Sequence, residues 1–220
     1  IQFVYKIIMD LPKPIKFEVE RYVGGLSQFR RIDNPIKLSA NESALGPSPK
    51  AVKAYEKEKN KILKYPESDS SSLREALSYK FKIDQKRIIC GSGSDQIFDL
   101  TCRLFINPGD EVIVSEFGFI MHKIYASLYK AKVITAKEKN FKVSVEEIIK
   151  KVSDKTKIVF VANPNNPTGT YLSKSEILDL RKKLRSNILL VVDDAYFEFI
   201  NSGNFNSGLD LFKDSPNVII

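Results

Sequence analysis

The chain has 220 residues, of which 43% are hydrophobic, and this suffices for one well-packed core of ordinary domain size. It contains no run of about 20 apolar residues, so we expect no membrane span and no membrane partner. Two cysteines, Cys90 and Cys102, do not indicate a disulfide framework, and we expect a reducing, cytoplasmic location. A single histidine, His122, argues against a histidine-based zinc site or a Ser-His-Asp triad, and we predict no metal.

The formal net charge of +8 raises the possibility of a basic α/β domain that binds nucleic acid. The basic residues, however, share their predicted helices with acidic ones, as in residues 53–59. Such a mixture is typical of a solvated helix face, whereas a nucleic-acid surface favours a continuous basic stripe. We therefore expect no nucleic-acid partner. An anionic substrate or cofactor would also suit a basic protein.

Prolines and glycines recur through the first part of the chain. They are Pro12, Pro14, Gly24, Gly25, Pro35, Gly46, Pro47 and Pro49. This pattern predicts an N-terminal arm over residues 1–45 that wraps its own domain or a partner subunit. The apolar residues 1–8 are interrupted by Lys6 and lack both an initiator Met and a small-residue cleavage site, so we predict no signal peptide.

Helical and strand patterns alternate from residue 46 to the end. We predict helices from Pro49, with Ser48 as N-cap, and at 71–81, 95–105, 119–129, 145–152 and 174–184. We predict strands at 87–90, 111–115, 132–135, 157–162, 188–192 and from 218. This alternation is typical of a three-layer α/β/α domain with a mostly parallel sheet. Because the last strand only begins where the chain stops, we expect the sequence to be a fragment.

Polar residues follow two of the predicted strands at the point where each strand ends. Residues 163–169, Asn-Pro-Asn-Asn-Pro-Thr-Gly, come directly after the apolar run 158–162, and Asp193 to Tyr196 follow the run 188–192. Open α/β sheets bind their ligands at the carboxyl ends of strands. An amide, a carboxylate and a phenol at these ends suggest a site for a small, flat, cationic heterocycle.

Each of these residues also has a plainer interpretation. A buried Asp193 would need a cationic partner, but Asp193 or Asp194 could instead cap the next turn in water. Tyr196 could donate a hydrogen bond to a ligand or simply pack, and Phe119 could stack on a ring or belong to the core.

The turn at residues 91–95, Gly-Ser-Gly-Ser-Asp, follows a predicted strand and opens a helix. Its glycines allow close approach of an anion, and the helix start offers unpaired N–H groups. It lacks the Gly-Lys-Ser/Thr of a P-loop and the third glycine of a dinucleotide fold, so a tight corner is an equal alternative.

Seven motifs follow one another along the chain: Leu38-Ser39-Ala40-Asn41-Glu42-Ser43, Tyr65-Pro66-Glu67, Ser71-Ser72-Leu73-Arg74, Gly91-Ser92-Gly93-Ser94-Asp95, Asn107-Pro108-Gly109-Asp110-Glu111, residues 163–169 and Asp193-Asp194-Ala195-Tyr196. In this order they resemble the histidinol-phosphate aminotransferases, a family of fold-type-I enzymes that use pyridoxal 5′-phosphate (PLP). The resemblance extends from about residue 20 to the end. Related aminotransferases and a threonine-phosphate decarboxylase share much of this pattern, so they remain alternatives for the activity.

The resemblance implies a cofactor contact for each of several residues. The turn Gly93-Ser94-Asp95 would hold the PLP phosphate through backbone N–H groups, and Phe119 would stack on the pyridine ring. Asn166 and Tyr196 would donate hydrogen bonds to the 3′ oxygen of the ring. Asp193 would pair with the pyridinium nitrogen and keep it protonated, which makes the ring an electron sink.

The resemblance also implies a homodimer with shared active sites. Tyr65 would reach the phosphate of the cofactor in the partner subunit, while Tyr22 and Asn41 would contact the substrates, imidazole-acetol phosphate and glutamate. Two positions depart from the pattern of the family: Gln96 stands where Glu is frequent, and His122 stands where Tyr is common.

The Schiff-base lysine of this family lies in a Ser-x-x-Lys segment after the last predicted strand. The chain stops at Ile220, before such a segment, so we name no catalytic residue and expect the chain alone to be inactive. Lys174 lies at a predicted helix start, where we expect it to be exposed, and it is not given that role. The substrate-binding arginines and the small domain would also lie beyond Ile220.

Overall fold

The structure, a computed structural model, describes residues 19, 22–25 and 36–220. Contacts within the chain divide it into two compact units, and in the described part the division falls after Ser92. The first unit contains the described residues from 22 to 92, and the second contains residue 19 and residues 93–220. Most of the predicted arm, residues 1–45, lies outside the described residues, so the predicted boundary at residue 45 stays a prediction.

The described residues of the first unit form two α-helices. Helix α1 (Pro49–Glu58) begins at Pro49, as predicted, because the first helical position does not need the N–H that proline lacks. Ser48 occupies the N-cap position but makes no side-chain hydrogen bond there. Helix α2 (Ser71–Phe81) has the predicted bounds.

The strand predicted at 87–90 is wrong. A 3₁₀ turn covers Gln85–Arg87, and the side chain of Asp84 accepts a hydrogen bond from the Lys86 N–H at 2.9 Å. The Ile88 N–H donates back to the carbonyl of Gln85 at 3.2 Å. The Arg87 N–H likewise donates to the carbonyl of Asp84 at 2.9 Å, so the first two N–H groups of the predicted strand are used in local bonds and not in a strand ladder.

The second unit is a five-stranded sheet with helices between the strands. Its elements are α3 (Gly93–Phe105), β1 (Glu111–Ser115), α4 (Ile120–Leu128), β2 (Lys132–Ala136), α5 (Val145–Lys151), β3 (Thr156–Ala162), α6 (Lys174–Lys183), β4 (Leu189–Asp193), α7 (Gly208–Phe212) and β5 (Val218–Ile219). The strand order is β2-β1-β3-β4-β5, and every neighbouring pair is parallel. The predicted elements agree with these bounds to within about two residues, whereas α7 was not predicted.

Helices cover both faces of this sheet. Alternate residues of β3 point to opposite sides, so that Val159 and Val161 join one buried cluster while Ile158 and Phe160 join the other. The first cluster includes side chains from α5, α6 and α7, and the second includes side chains from α3 and α4. The predicted three-layer α/β/α arrangement with a parallel sheet is therefore confirmed.

Neither cysteine of the chain forms a disulfide. Cys90 is half-buried, whereas Cys102 lies fully buried in α3. Burial, together with the nearby carboxylate of Asp99, raises the pKa of the Cys102 thiol to about 12, so this thiol is unreactive at neutral pH. In the part of the chain that the structure describes, no helix is long and apolar enough to cross a membrane.

Candidate active site

The carboxyl ends of β1, β3 and β4 lie side by side because these strands are neighbours in a parallel sheet. The chain passes from β1 outward to β2 and then returns to place β3 on the other side of β1. Open α/β sheets bind ligands at such reversals of the winding direction. The N–H of Asn163 donates to the carbonyl of Asp193 at 3.0 Å, which ties the ends of β3 and β4 together.

Asp193 is the last residue of β4, and its side chain is only 8% exposed. Oδ1 accepts a hydrogen bond from the N–H of Ala195 at 3.3 Å, so Asp193 does cap the following turn, but not in water. Oδ2 lies 3.3 Å from Nε2 of His122. The two interpretations of Asp193 from the sequence are thus both partly correct, since the carboxylate is buried and also holds the turn.

His122 lies in the first turn of α4 and is 2% exposed. Its ring stacks on Phe160 at 4.9 Å with an interplanar angle of 13°, and Phe98 contacts it edge-on at 4.7 Å. The aromatic rings hold the imidazole in one orientation, with Nε2 directed at the carboxylate of Asp193.

Phe119 precedes α4 as its N-cap residue and is half-buried. Its ring lies 5.8 Å from that of His122 at 89° and 6.5 Å from that of Phe98. The structure therefore brings Phe119, His122 and Asp193 into one cluster. From the sequence, His122 was considered as the single histidine and as a departure from a family pattern, but not as a site residue. Its spacing of three residues from Phe119 was the signal for this contact.

A cleft of about 150 Å³ opens beside Asp193. Its lining comes from the first turns of α3 and from the ends of β4 and β5: Ser94, Ile97, Phe98, Val191, Val192, Asp193, Asp194, Ala195, Ile219 and Ile220. Two of the predicted cofactor contacts, Ser94 and Asp193, therefore line the same space.

Helix α3 begins at Gly93, two residues earlier than predicted. Gly93 has φ = +74°, a conformation that favours glycine, and no atom lies within 4 Å of the place where a β-carbon would be. Ser94 and Asp95 consequently stand in the first turn, where backbone N–H groups lack helical partners. This end of α3 has the geometry of an anion site next to the cleft.

The turn after β3 is closed by its own hydrogen bonds. The side chain of Asn163 accepts from the Leu172 N–H at 2.7 Å and donates to the Leu172 carbonyl at 3.3 Å. The Asn165 N–H donates to Thr170, and the carbonyl of Asn165 accepts from Gly169, both at 2.8 Å. Asn166 lies within this turn and is half-buried.

Tyr196 follows the end of β4 and is half-buried, with its ring 6.3 Å from that of Phe199. Tyr22, Asn41 and Tyr65 belong to the other unit, and all three are exposed. Their predicted contacts with substrate and with a partner subunit stay predictions.

The exposure predicted for Lys174 is confirmed, because this residue is exposed at the first position of α6.

Asp194 points away from Asp193 and toward the start of α7. Its Oδ2 accepts from the Gly208 N–H at 2.5 Å, while Oδ1 is buried and has no hydrogen-bond partner among the described residues. Burial raises the pKa of the Asp194 carboxyl to about 7, and the hydrogen bonds from Gly208 and Leu209 only partly oppose this effect. Near neutral pH, this carboxyl therefore exchanges a proton.

We predict that Asp194→Asn weakens the pH dependence of stability. The pKa of Asp194 is higher in the folded chain than the value of 3.8 expected when unfolded, so the unfolded chain releases its proton first. The free energy of unfolding of the wild type should therefore fall as pH rises from about 4 to about 7, by on the order of 4 kcal/mol at most. Asparagine is neutral throughout this range and should lose most of that slope.

Urea unfolding of the full-length gene product at pH 5 and pH 8 tests this expectation. The matched control is Asp154→Asn, because the Asp154 side chain is fully exposed and lies 3.8 Å from Arg185. Equal pH slopes in the wild type and in Asp194→Asn would contradict the assignment.

The sheet order, the buried carboxylate at one edge and the open helix start beside it define an α/β protein with a candidate ligand site at the carboxyl ends of its strands. Within that class, the family model described as "Aminotransferase class I and II" matches residues 33–220. The chain belongs to this family.

Individual relatives agree with the family match. The chain is 56% identical over 212 residues to a histidinol-phosphate aminotransferase of Pelagibacter ubique, covering 96% of this chain and 59% of the relative. It is 42% identical to the protein of the same name from Paramagnetospirillum magneticum. That match covers 95% of this chain and 58% of the relative. The chain thus spans less than two thirds of the length of these curated relatives. The resemblance stated from the sequence motifs is confirmed.

Solved structures show the same fold. Histidinol-phosphate aminotransferase from Sinorhizobium meliloti, determined in complex with pyridoxal-5′-phosphate, superimposes with a TM-score of 0.76 at 25% identity, covering 81% of this chain and 49% of that chain. A putative histidinol-phosphate aminotransferase from Erwinia carotovora atroseptica gives a TM-score of 0.79 at 25% identity. That match covers 90% of this chain and 57% of that chain.

Proposed function

We propose that this chain is part of a PLP-dependent histidinol-phosphate aminotransferase. The observation that carries the proposal is the buried carboxylate of Asp193, held by His122 at the wall of a cleft that also contains Ser94. A buried carboxylate favours a cationic partner over an empty apolar space, and a protonated pyridine nitrogen is a flat cation of suitable size. The high identity to relatives with this name supports the same choice.

The residues present fit PLP at both ends of the molecule. The first turn of α3 offers N–H groups and a positive dipole end for the phosphate, and Gly93 leaves the approach free of a side chain. Asp193 faces the same cleft and would meet the ring nitrogen. PLP, when bound, supplies an electron sink for the carbanion that forms when a substrate loses its α-proton.

The side chains of this chain would each have a defined task. Asp193 would hold a proton at the ring nitrogen, and the contact of His122 with Asp193 at 3.3 Å would keep the carboxylate oriented. Phe119 would stack on one face of the ring and exclude water from it. Asn166 and Tyr196 would donate hydrogen bonds to the ring oxygen and so orient the ring in its plane.

The complete enzyme would transfer an amino group between glutamate and imidazole-acetol phosphate. We further propose that it acts in the cytoplasm as a homodimer, in which Tyr65 reaches the cofactor phosphate of the partner subunit. Tyr22 and Asn41 would then contact the substrate. The lysine that binds the cofactor covalently would come from the part of the gene product that follows residue 220.

A substrate panel on the full-length gene product tests the proposal. We expect consumption of histidinol phosphate with 2-oxoglutarate to exceed that of aspartate, aromatic amino acids and other donors by at least about 100-fold in kcat/KM. Decarboxylation of threonine phosphate serves as the contrasting reaction. A preference for another donor would move the protein elsewhere in the aminotransferase family, and failure to bind PLP would reject the proposal.

A further inference from the structure

The carboxylate of Glu138 connects three segments of the chain at the edge of the sheet that carries the proposed site. Its Oε1 accepts a hydrogen bond from the hydroxyl of Ser115, from the N–H of Phe117 at 3.2 Å, and from the side-chain amide of Asn165 at 3.4 Å. Ser115 ends β1, whereas Asn165 lies in the turn after β3. One oxygen atom thus joins the ends of the two strands between which the winding direction reverses.

The backbone around Glu138 is held in place independently of its carboxylate. The Glu138 N–H donates to Oε2 of Glu116 at 3.1 Å, and the Glu116 N–H donates to the carbonyl of Ala136 at 2.9 Å. Glu138 therefore extends from the end of β2 across the end of β1 to reach the turn after β3. This reach covers three neighbouring strands of the sheet.

Two buried oxygen atoms in this cluster lack hydrogen-bond donors within the part of the chain that the structure describes, which is unfavourable for folding. Oε2 of Glu138 and Oδ1 of Asn165 are both buried without a hydrogen-bond partner among the described residues, and Asn165 is 3% exposed. Buried acceptors without donors are rare in folded proteins and call for a reason. Exceptions to the hydrogen bonding of buried polar atoms are expected mainly at functional sites.

The segments that Glu138 holds are the ones that carry two proposed cofactor contacts. Asn165 directly precedes Asn166, and its side-chain amide also donates to Thr168 Oγ1 at 2.9 Å and to the Phe117 carbonyl at 3.3 Å. Phe117 lies two residues before Phe119. The orientation of the Asn165 amide is set by these acceptors, because its NH₂ group faces all of them.

We propose that Glu138 is a positioning residue, which fixes Asn166 and Phe119 for the cofactor by holding Asn165 and the backbone of Phe117. This inference rests on the proposed function, since it needs a ring for those two side chains to contact. Glu138 itself does not touch the cofactor. Without its carboxylate, the Phe117 N–H loses an acceptor, and the Asn165 amide loses one of the contacts that decide its orientation.

The test measures PLP binding and the absorption of bound PLP in the full-length gene product. We expect Glu138→Ala to weaken PLP binding about tenfold, the effect of losing one ordinary hydrogen bond. The pH midpoint of the absorption change of bound PLP should also rise, because a misplaced Asn166 stabilises the ionised ring oxygen less. Glu138→Gln retains an acceptor oxygen and should restore both values to within about threefold of the wild type.

Two further variants make the test decisive. The side chain in Glu138→Asp is one methylene shorter. This variant should raise the pH midpoint by less than Glu138→Ala does, and it replaces the alanine variant in the test if that variant does not fold. Glu146→Ala is the matched control, because the exposed side chain of Glu146 forms surface ion pairs with Lys139 and Lys150, each at 2.6 Å. It should leave binding and midpoint unchanged.

The outcomes separate the two proposals. A lower melting temperature of Glu138→Ala with an unchanged midpoint and unchanged PLP affinity would mean a purely structural role and would overturn the inference. Wild-type affinity in every Glu138 variant would overturn it as well. If the wild type itself does not bind PLP, the proposed function fails, and the inference about Glu138 fails with it.

Discussion

Replacing Asp193 with alanine is expected to lower the kcat of the full-length enzyme by at least about 100-fold, the scale seen when one preorganised electrostatic contact is removed. On the proposed function, Asp193 would keep the pyridine nitrogen protonated, so without its carboxylate the ring would withdraw electrons less strongly. Asp193→Asn should have nearly the same effect, since asparagine fills the same space but carries no charge. The predicted loss therefore follows the charge and not the volume of the side chain.

The stability of these variants should respond in a different way. Asp193 is buried and bonds to His122, so its removal leaves an imidazole N–H without an acceptor but also removes a buried charge. We expect the melting temperature of the protein without PLP to change little. Asp179→Asn, on the exposed side of α6, is the control for both measurements. A kcat within about threefold of the wild type for Asp193→Asn would remove Asp193 from the mechanism.

Phe160→Ala is expected to reduce the free energy of unfolding by about 3–5 kcal/mol. Phe160 is 1% exposed in the centre of the sheet, and its ring contacts those of His122 and Phe98. Removing this ring opens a cavity under the imidazole, because two aromatic neighbours lose their packing partner at once. Without the stacking contact from Phe160, the His122 ring is less well oriented. PLP binding should weaken as well, since Asp193 then loses a fixed neighbour.

Urea unfolding of the full-length gene product measures the first effect, and PLP titration measures the second. Phe160→Leu, which keeps most of the volume, should cost about 1–2 kcal/mol and keep the protein folded if the alanine variant does not fold. Phe199→Ala is the exposed counterpart and should change stability by less than about 0.5 kcal/mol. Equal effects at positions 160 and 199 would show that the core is not centred on Phe160.

The sheet could be predicted from the sequence because its strands are short apolar runs separated by helical periodicity. The strand at 157–162 and the helix at 174–184 were recognisable for this reason, and both agree with the structure to within one residue. The strand at 87–90 was wrong because an apolar run of this length is also compatible with a capped turn. The side chain of Asp84 caps this turn, and an analysis of hydrophobic periodicity does not detect a polar cap.

Contacts between distant residues could not be predicted in the same way. His122 and Asp193 are 71 positions apart, and only the parallel register of β1, β3 and β4 brings them together. The same holds for Glu138 and Asn165, which are 27 positions apart. Of the residues named from family motifs, Ser94 and Asp193 line one cleft at the carboxyl ends of the strands, whereas the side chains that pack behind them became visible only with the fold.

A crystal structure of the full-length gene product with PLP tests the central claim most directly. The account predicts a pyridine nitrogen within about 2.7–3.2 Å of an Asp193 carboxylate oxygen. It also predicts the phosphate at the first turn of α3, beside Gly93 and Ser94. A cofactor whose ring nitrogen lies away from Asp193, or whose phosphate lies away from α3, would contradict the account even if the enzyme were an active aminotransferase.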